Sequence, residues 1–476
     1  MTSMNLAPLR RWLVLALGLY AAIAAGAALA QTSRFSQVGF QASNGTVLPA
    51  YVYRATGFDP VNGAIWFVMH GAGRDAEPYL RVAAPLAERY NAMAIAIEFS
   101  LAAYPTQESY TLSAANYAEI ERAFDAMRAS LGGRQSGYYL FGHSAGAQFV
   151  HRLVTFLPQA RVLGAVAANA GWYTLPLTDV ATPYGLRGTS LERSDLRWLF
   201  AAPLTVLLGA NDTATPEQDP LLRGTPEAMA QGATRLARGQ YYFATGQRAA
   251  AAIAEPLKWR LGIVPQAGHN VSQMIGSGGF FLFERGALPC QPTSAAAARS
   301  LIINEILADP PTAGDANADG VRDAADDEFV ELVNTGTTPL CLAGWTLGDA
   351  GVAVRHVFPL GTLLPPGRAL VVFGGGIPTG RFGGAIVQWA AFNGQLSFSN
   401  AGDVLTLRDA AGAIVKQVSW GNCAGVPCAS DHYRGTLEID SSLVRSPELT
   451  GAWRPHRQVS RSLFSPGVRT TGGTFQ

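Results

Sequence analysis

The sequence predicts an α/β domain with a mostly parallel sheet and flanking helices, followed by an all-β sandwich. In the first part, short apolar runs alternate with helical patterns, which is typical of parallel strands buried on both faces. In the second part, short strand patterns are separated by Gly, Pro, Asn and Asp turns without a helical period. The length of 476 residues also favours two domains, because it exceeds what a single hydrophobic core usually organises.

The first 30 residues have the pattern of a signal peptide. Arg10 and Arg11 precede an apolar stretch, which ends in Ala28-Leu29-Ala30, the small residues that a signal peptidase requires. We therefore expect a secreted or periplasmic protein that begins at Gln31; an uncleaved membrane anchor is the alternative. No later apolar run reaches the roughly 18 residues of a membrane span. A net charge of +1 without a dense basic block argues against a nucleic-acid partner.

Residues 31–286 have the pattern of the α/β domain. Strands that alternate with helical segments are expected to be joined by crossover helices. The predicted strands are 64–69, 92–99, 137–141, 163–168, 204–208 and 261–264, and the clearest predicted helices are 78–90, 114–131 and 145–157.

The pentapeptide Gly142-His143-Ser144-Ala145-Gly146 is the clearest chemical signal in this domain. It follows a predicted strand and opens a predicted helix, and in that context G-x-S-x-G forms a sharp turn with the serine at its tip. The glycines allow the turn because a side chain at either position would clash with the adjoining strand or helix. We therefore predict Ser144 as a nucleophile.

A serine nucleophile needs a base, and the base needs an orienting acid. Downstream of Ser144, Asp212 ends a strand pattern and His269 lies in a loop after the last apolar strand. Both positions belong at the sheet edge where Ser144 is expected. A helix N-cap for Asp212 and a surface position for His269 are the structural alternatives. The alternative acids are Asp75, Asp179 and Asp195.

An acyl-transfer site also needs two N–H donors for the oxyanion. One is expected at Ala145, at the start of the helix, and the other at Ala72, where two flanking glycines let the backbone bend. His70 precedes this loop and is expected to form internal hydrogen bonds. The candidate substrate contacts, with core packing as the alternative, are Trp172, Tyr173 and Tyr104.

On these residues, the segment from about 45 to 285 resembles an α/β-hydrolase of the secreted-esterase or polyhydroxyalkanoate-depolymerase type. The resemblance is carried by His70-Gly71, the pentapeptide around Ser144, Asp212 and His269. It implies acyl transfer through a covalent acyl-serine without a cofactor, but it does not fix the substrate. The leading hypothesis is a hydrolase of carboxylic esters, polymeric or surface-bound esters included. A peptidase or amidase with the same triad and a non-catalytic binding protein are the alternatives.

Residues 287–300 are small, polar and aperiodic, as in a linker between domains. The sandwich strands are predicted at 301–307, 328–333, 369–373, 404–407 and 414–420, and residues 431–476 are expected to be irregular.

The four cysteines all lie in this second half, and an even number in an exported chain favours disulfides. Cys423 and Cys428 bracket a short loop and are expected to pair, which leaves Cys290 with Cys341. Four cysteines permit three pairings. A metal site is the alternative, although no histidine stands at zinc spacing.

Segments 301–307, 327–334 and 342–349 resemble a lamin tail domain, and 365–367 and 446–447 also fit, so the resemblance runs from about 300 to 472. It implies an immunoglobulin-like β-sandwich with an accessory or binding role.

Residues 315–321 of this domain resemble a calcium loop, because oxygen ligands at alternate residues and a glycine at the turn suit a hard cation. Nine carboxylates between 305 and 331 are offset by Arg322 alone, which also favours a structural cation. A solvated hairpin tip is the alternative, because the loop lacks flanking helices and has Asp where an EF-hand usually ends in Glu. The expected ligands are the side chains of Asp315, Asn317, Asp319 and Asp326 and the carbonyl of Val321.

Overall fold

A computed structural model describes residues 34–191, 196–284, 286–312, 314–390, 395–435, 437 and 440–475. The predicted signal peptide and its cleavage position lie outside these residues. No helix in the described ranges is long and apolar enough to cross a membrane. The chain divides into two compact units. The first unit contains the described residues up to Val206 with Arg223–Gly232 and Arg238–Arg260, and the second contains Leu207–Leu222, Ala233–Ala237 and the described residues from Leu261 onwards.

The α/β part follows the predicted alternation, and each predicted strand and helix is confirmed to within two residues at its ends. The strands are β1 (Phe35–Gln41), β2 (Val47–Arg54), β3 (Ile65–Met69), β4 (Met93–Ile97), β5 (Tyr138–His143), β6 (Val162–Ala168), β7 (Leu204–Gly209) and β8 (Arg260–Val264). The α-helices are α1 (Ala76–Arg89), α2 (Gln107–Thr111), α3 (Ala114–Leu131), α4 (Ala145–Phe156), α5 (Arg197–Ala201), α6 (Pro226–Met229), α7 (Arg235–Ala251) and α8 (Val271–Phe283).

These strands form one eight-stranded sheet of order β1-β2-β4-β3-β5-β6-β7-β8. β3 runs parallel to β4 and to β5, and β5 runs parallel to β6. The hairpin β1–β2, which the sequence did not predict, is antiparallel and adds the sheet's first edge. Every residue of β3 and β4 is buried, as their continuous apolar pattern predicts. The parallel strands bring their carboxyl ends to one edge, where ligands of such sheets usually bind.

The second half of the chain is a β-sandwich, as predicted. Its strands are β9 (Leu301–Leu307), β10 (Phe329–Asn334), β11 (Leu340–Cys341), β12 (Thr346–Gly348), β13 (His356–Val357), β14 (Leu363–Leu364), β15 (Ala369–Phe373), β16 (Ile386–Trp389), β17 (Gly402–Arg408), β18 (Ile414–Gly421), β19 (His432–Tyr433), β20 (Leu443–Ser446) and β21 (Ala452–Pro455). One sheet has the order β16-β15-β10-β9-β20-β21, a second has the order β13-β12-β17-β18-β19, and β11 pairs with β14. Trp345, Trp420 and Leu332 are among the buried residues of the shared core.

Two segments are more ordered than their sequence pattern suggested. The expectation that 431–476 is irregular is wrong for β19, β20 and β21, because β19 pairs with β18, β20 pairs with β9 and β21 pairs with β20. In the predicted linker, Ala298 is buried in the sandwich core, and the amide of Ala295 donates to the carboxylate of Asp409. The domain boundary at 287–300 itself stays a prediction.

Both predicted disulfides are confirmed. Cys290 is bonded to Cys341, and Cys423 is bonded to Cys428. The second pair lies near His432, the arrangement that a metal site would use. A metal needs free thiolates, and both cysteines are consumed by the disulfide, so this cluster is not a metal site.

Candidate active site

Ser144 lies at the sharp turn between β5 and α4, in the first unit. Its φ of 58° and ψ of −117° are unusual for a residue with a side chain and cost roughly 1–3 kcal/mol, which the surrounding contacts must offset. The Ser144 N–H donates to the carbonyl of Ala168 at the end of β6, over 2.9 Å. The Ser144 carbonyl accepts the N–H of Ala147 over 3.1 Å. The structure therefore contains the strand–turn–helix geometry that the pentapeptide predicts.

Gly142 and Gly146 permit this turn because neither position has room for a side chain. A Cβ atom at Gly146 would collide with the carbonyl oxygens of Met69 and His70, at the end of β3. A Cβ atom at Gly142 would collide with the carbonyl of Gly146. Helix α4 therefore approaches the end of β3 very closely, and its N-terminus, with a partial positive charge, lies next to Ser144.

The backbone N–H groups of Ala72 and Ala145 are the predicted oxyanion donors. Among the described residues, neither group donates a hydrogen bond. Ala145 begins α4, where an N–H has no acceptor within its own helix. A Cβ atom at Gly71 would stand 3.8 Å from the Cβ of Ser144, so the loop that contains Ala72 lies against the predicted nucleophile. Neither N–H group thus has an acceptor among the described residues, and their role as oxyanion donors stays a prediction.

Asp212 and His269, the predicted acid and base, meet in the second unit. Asp212 follows β7, His269 precedes α8, and the Nδ1 of His269 lies 2.8 Å from Oδ2 of Asp212. Since a carboxylate only accepts hydrogen bonds, Nδ1 carries the proton and Nε2 is left to accept one. The Asp212 side chain is 1% exposed and the imidazole 28% exposed, so the acid is shielded while the base is accessible. The hydrogen bond from Ser144 to His269 stays a prediction.

Arg235 is a site residue that has no recognisable signature in the sequence. It begins α7, and its side chain is almost fully buried. One guanidinium nitrogen lies 3.5 Å from Oδ1 of Asp212 and another 2.6 Å from Oδ2 of Asp219. A buried carboxylate needs a compensating charge, and Arg235 supplies it at Oδ1 of Asp212, whereas His269 contacts Oδ2.

The alternative acids are placed differently. Asp75 precedes α1 as its N-cap residue, and Asp179 is exposed. Asp195 lies outside the described residues.

His70 forms internal hydrogen bonds, as expected. Its Nε2 accepts the N–H of Phe99 over 3.0 Å, and its Nδ1 lies 3.0 Å from the carbonyl of Gly71. Burial lowers the pKa of His70 to about 4, which keeps the ring neutral at physiological pH. His70 thus fixes the start of the loop that contains Ala72.

The three aromatic residues predicted as substrate contacts, Trp172, Tyr173 and Tyr104, are buried in the first unit. The guanidinium groups of Arg152 and Arg223 lie over the indole of Trp172, at 4.1 and 4.6 Å from the ring centroid. Their packing agrees with the core alternative, and a contact with substrate stays a prediction.

Four of the five predicted calcium ligands lie in one turn. The N–H of Asp319 donates to side-chain oxygens of Asp315 and Asn317, and the N–H of Val321 donates to Asp319. The Oδ1 of Asp326 instead accepts a hydrogen bond from Gln395. Burial, together with nearby carboxylates that include Asp319, raises the pKa of Asp326. A cation beside Asp326 would relieve this repulsion.

Comparison with known proteins finds relatives for both halves of the chain. The Lamin Tail Domain family matches residues 294–422. The chain is similar to the structure of poly(aspartic acid) hydrolase-1 from Sphingomonas sp. KT-1, with 34% identity over 52% of this chain and 98% of that one, and a TM-score of 0.50. It is also similar to LpqC, a poly(3-hydroxybutyrate) depolymerase from Bordetella parapertussis, with 33% identity over 59% of this chain and 98% of that one, and a TM-score of 0.52. No curated protein matches the chain significantly.

Proposed function

Since this chain belongs to the α/β-hydrolase family and carries a lamin tail domain, we propose that it is an exported serine hydrolase that cleaves carboxylic esters. The observation that carries the proposal is the hydrogen bond between Asp212 and His269, in a chain whose Ser144 occupies a strained turn at a helix N-terminus. An oriented imidazole and a serine nucleophile are the two parts that acyl transfer requires, and Ser144 is partly exposed.

In the proposed mechanism, Ser144 Oγ attacks the ester carbonyl while Nε2 of His269 takes its proton. Asp212 keeps the imidazole in the correct tautomer and stabilises the imidazolium. The N–H groups of Ala72 and Ala145 bind the oxyanion of the tetrahedral intermediate. His269 then gives its proton to the leaving alcohol. Water, deprotonated by the same imidazole, attacks the acyl-serine, and the imidazolium returns this proton to Ser144 Oγ as the acid leaves.

A polymeric substrate is supported by both relatives, since their names state that they act on poly(3-hydroxybutyrate) and poly(aspartic acid). The first polymer is joined by esters and the second by amides. Hydrolysis of an amide with the same residues is therefore the second candidate, because both reactions pass through a tetrahedral intermediate. In either case we propose that the lamin tail domain holds the enzyme to a surface or polymer.

The test is hydrolysis of short and long p-nitrophenyl esters and of the matching anilides. Ser144→Ala is expected to lower kcat by at least about 10⁴-fold, because it removes the nucleophile. Ser130→Ala, on helix α3 in the same unit, is the control and should keep the wild-type rate. A fluorophosphonate should label the peptide that contains Ser144, and activity that survives in Ser144→Ala would exclude it as the nucleophile.

Export is supported by the two disulfides, since such bonds persist in oxidising compartments outside the cytosol.

We also propose a structural calcium ion at the turn formed by Asp315, Asn317, Asp319 and Val321. A ligand that binds only the folded state raises its stability, so Ca²⁺ should raise the Tm and EGTA should lower it. Asp319→Asn should reduce the response to Ca²⁺. Equal melting temperatures with EGTA and with millimolar Ca²⁺ would count against an occupied site.

A further inference from the structure

The loop that carries His269 joins β8 to α8 and is contacted by the sandwich on both flanks. We call residues 265–270 the His269 loop. The loop, α8 and the sandwich all belong to the second unit, which also contains Asp212. The acid–base pair is thus grouped with the lamin tail domain.

Before His269, two residues of the loop contact the sandwich. Gln266 Nε2 donates to the carbonyl of Ala410 over 3.2 Å. Pro265 lies directly on Gly344, where a Cβ atom would stand 2.5–2.6 Å from three atoms of the proline ring. Gly344 also has a φ of 70°, which glycine adopts without strain. Any side chain at 344 would have to displace Pro265.

The sandwich presents the carbonyl of Ala410 from a well-defined turn. The turn connects β17 to β18, and buried Asp409 holds it. Oδ1 of Asp409 accepts the N–H groups of Ala411 and Ala413 over 3.0 and 2.9 Å, and Oδ2 accepts that of Ala295 over 2.8 Å. A carboxylate with three backbone donors fixes the turn, and therefore the position of the acceptor for Gln266.

The same loop is tied to the acid. The carbonyl of Gln266 accepts a hydrogen bond from Asn211 Nδ2 over 3.3 Å, and the carbonyl of Ala267 accepts the N–H of Asn211 over 2.8 Å. Asn211 immediately precedes Asp212. Gln266 has a φ of 60°, a conformation that is unfavourable unless contacts on both sides maintain it. Displacing Gln266 would therefore disturb the chain next to both Asp212 and His269.

After His269, helix α8 packs on the turn between β13 and β14. The Ser277 hydroxyl accepts the N–H of Leu360 over 3.1 Å, and both residues are buried. A Cβ atom at Gly276 would stand 2.6 Å from Cγ of Pro359. Since α8 begins two residues after His269, the sandwich fixes the chain on either side of the base.

We infer that the lamin tail domain positions the catalytic base, with Gln266 and Gly344 as positioning residues for His269. The inference rests on the proposed function, in which His269 is that base. Misplacing a reacting group by about 1 Å can lower a rate on the order of 10²-fold. A domain fixed to both flanks of the His269 loop therefore contributes to kcat without contacting the substrate.

Gly344→Ala in the full-length protein is the first test, and Gly425→Ala is its matched control. Both glycines lie in the sandwich with a left-handed φ, 70° and 78°, but a Cβ at 425 meets nothing within 4 Å. We expect Gly344→Ala to lower kcat for p-nitrophenyl acetate about tenfold or more, with KM within about twofold and an altered pH–rate profile. Gly425→Ala shares the backbone strain and should leave kcat and the profile unchanged.

Gln266→Met is the second test, since it keeps the size of the side chain but removes the donor to Ala410. Hydrogen exchange of the peptides that cover 261–283 should be faster in Gln266→Met and in Gly344→Ala than in wild type or Gly425→Ala. Wild-type exchange and wild-type kcat in both variants would overturn the inference. If the wild type is inactive and unlabelled by fluorophosphonate, the proposed function fails, and the exchange experiment alone decides whether the sandwich holds the His269 loop.

Discussion

At the scale of single residues, the carboxylate of Asp212 is shared by two partners. One oxygen accepts the hydrogen bond from His269, and the other faces Arg235 at 3.5 Å. Arg235 also pairs with Asp219, so a single buried guanidinium contacts two carboxylates, of which that of Asp212 accepts the hydrogen bond from His269. Both carboxylates neutralise the charge of Arg235, and Asp212 also orients the imidazole of His269. Substituting the two aspartates one at a time therefore distinguishes these two effects.

Asp212→Asn is expected to lower kcat by about 10⁴-fold, because an amide permits the wrong histidine tautomer. Asp219→Asn removes the other partner of Arg235 and should reduce kcat by less than about tenfold. Steady-state kinetics on p-nitrophenyl acetate, with circular dichroism to verify folding, make the comparison. Similar losses of activity in the two variants would contradict a separate role of Asp212 in orienting His269.

The sequence predicted Ser144, Asp212 and His269 because each has a local signature: a turn motif, or a position just after a strand pattern. Arg235 and Gln266 have no such signature. Arg235 lies 23 residues from Asp212, and Gln266 lies 144 residues from Ala410. Their roles depend on contacts between distant segments, which a local pattern does not contain.

At the scale of elements, continuous apolar runs made β3 and β4 predictable. Helix α8 was not predicted, because glycines at 276, 278 and 279 lower helix propensity by about 1 kcal/mol each. The structure explains Gly276, whose missing side chain makes room for Pro359 of the sandwich. Packing against Pro359 therefore requires Gly276, the same residue that lowers the helix propensity of α8.

The short strand β13 provides a pH-dependent test of the sandwich. His356 in this strand is buried, its Nε2–H donates to Oε1 of Gln388 over 2.8 Å, and burial lowers the pKa of His356 to about 4. In the unfolded chain the pKa of histidine is about 6.5. The unfolded state therefore binds more protons between pH 6.5 and 4, so the stability that neutral His356 provides is lost as the pH falls through this window.

His356→Gln should flatten this pH dependence by up to about 1.4 kcal/mol per pH unit. Urea denaturation at pH 7, 5.5 and 4.5 measures the free energy of unfolding. His432→Gln is the control, because His432 in β19 is only half-buried. A slope in His356→Gln equal to that of the wild type would contradict the prediction.

At the scale of the whole molecule, the two fold types were predictable because the sequence pattern changes near residue 287, from alternating strands and helices to short strands separated by turns. The bounds of the compact units were not predictable, because they depend on contacts between distant segments. Leu207–Leu222 and residues 261–284 are grouped with the sandwich although their sequence pattern is that of the α/β part.

The two disulfides should contribute unequally to stability. Cys290–Cys341 spans 51 residues and Cys423–Cys428 spans 5, so the chain-entropy relation gives about 4 and about 2 kcal/mol. Replacing Cys290 and Cys341 by serine should therefore lower the Tm more than replacing Cys423 and Cys428. Equal decreases in calorimetry would contradict the entropic explanation.

The pairing of β20 with β9 has a consequence for biosynthesis. Leu443 lies opposite Ile306, although 137 residues separate them, and the family match ends at residue 422, before β20 begins. Until β20 has been synthesised, the backbone N–H and C=O groups of β9 that pair with β20 have no partner strand. Such an open edge can pair with a strand of another molecule and so lead to aggregation. A chain shortened to residue 422 would keep that edge open permanently and is expected to accumulate as insoluble protein.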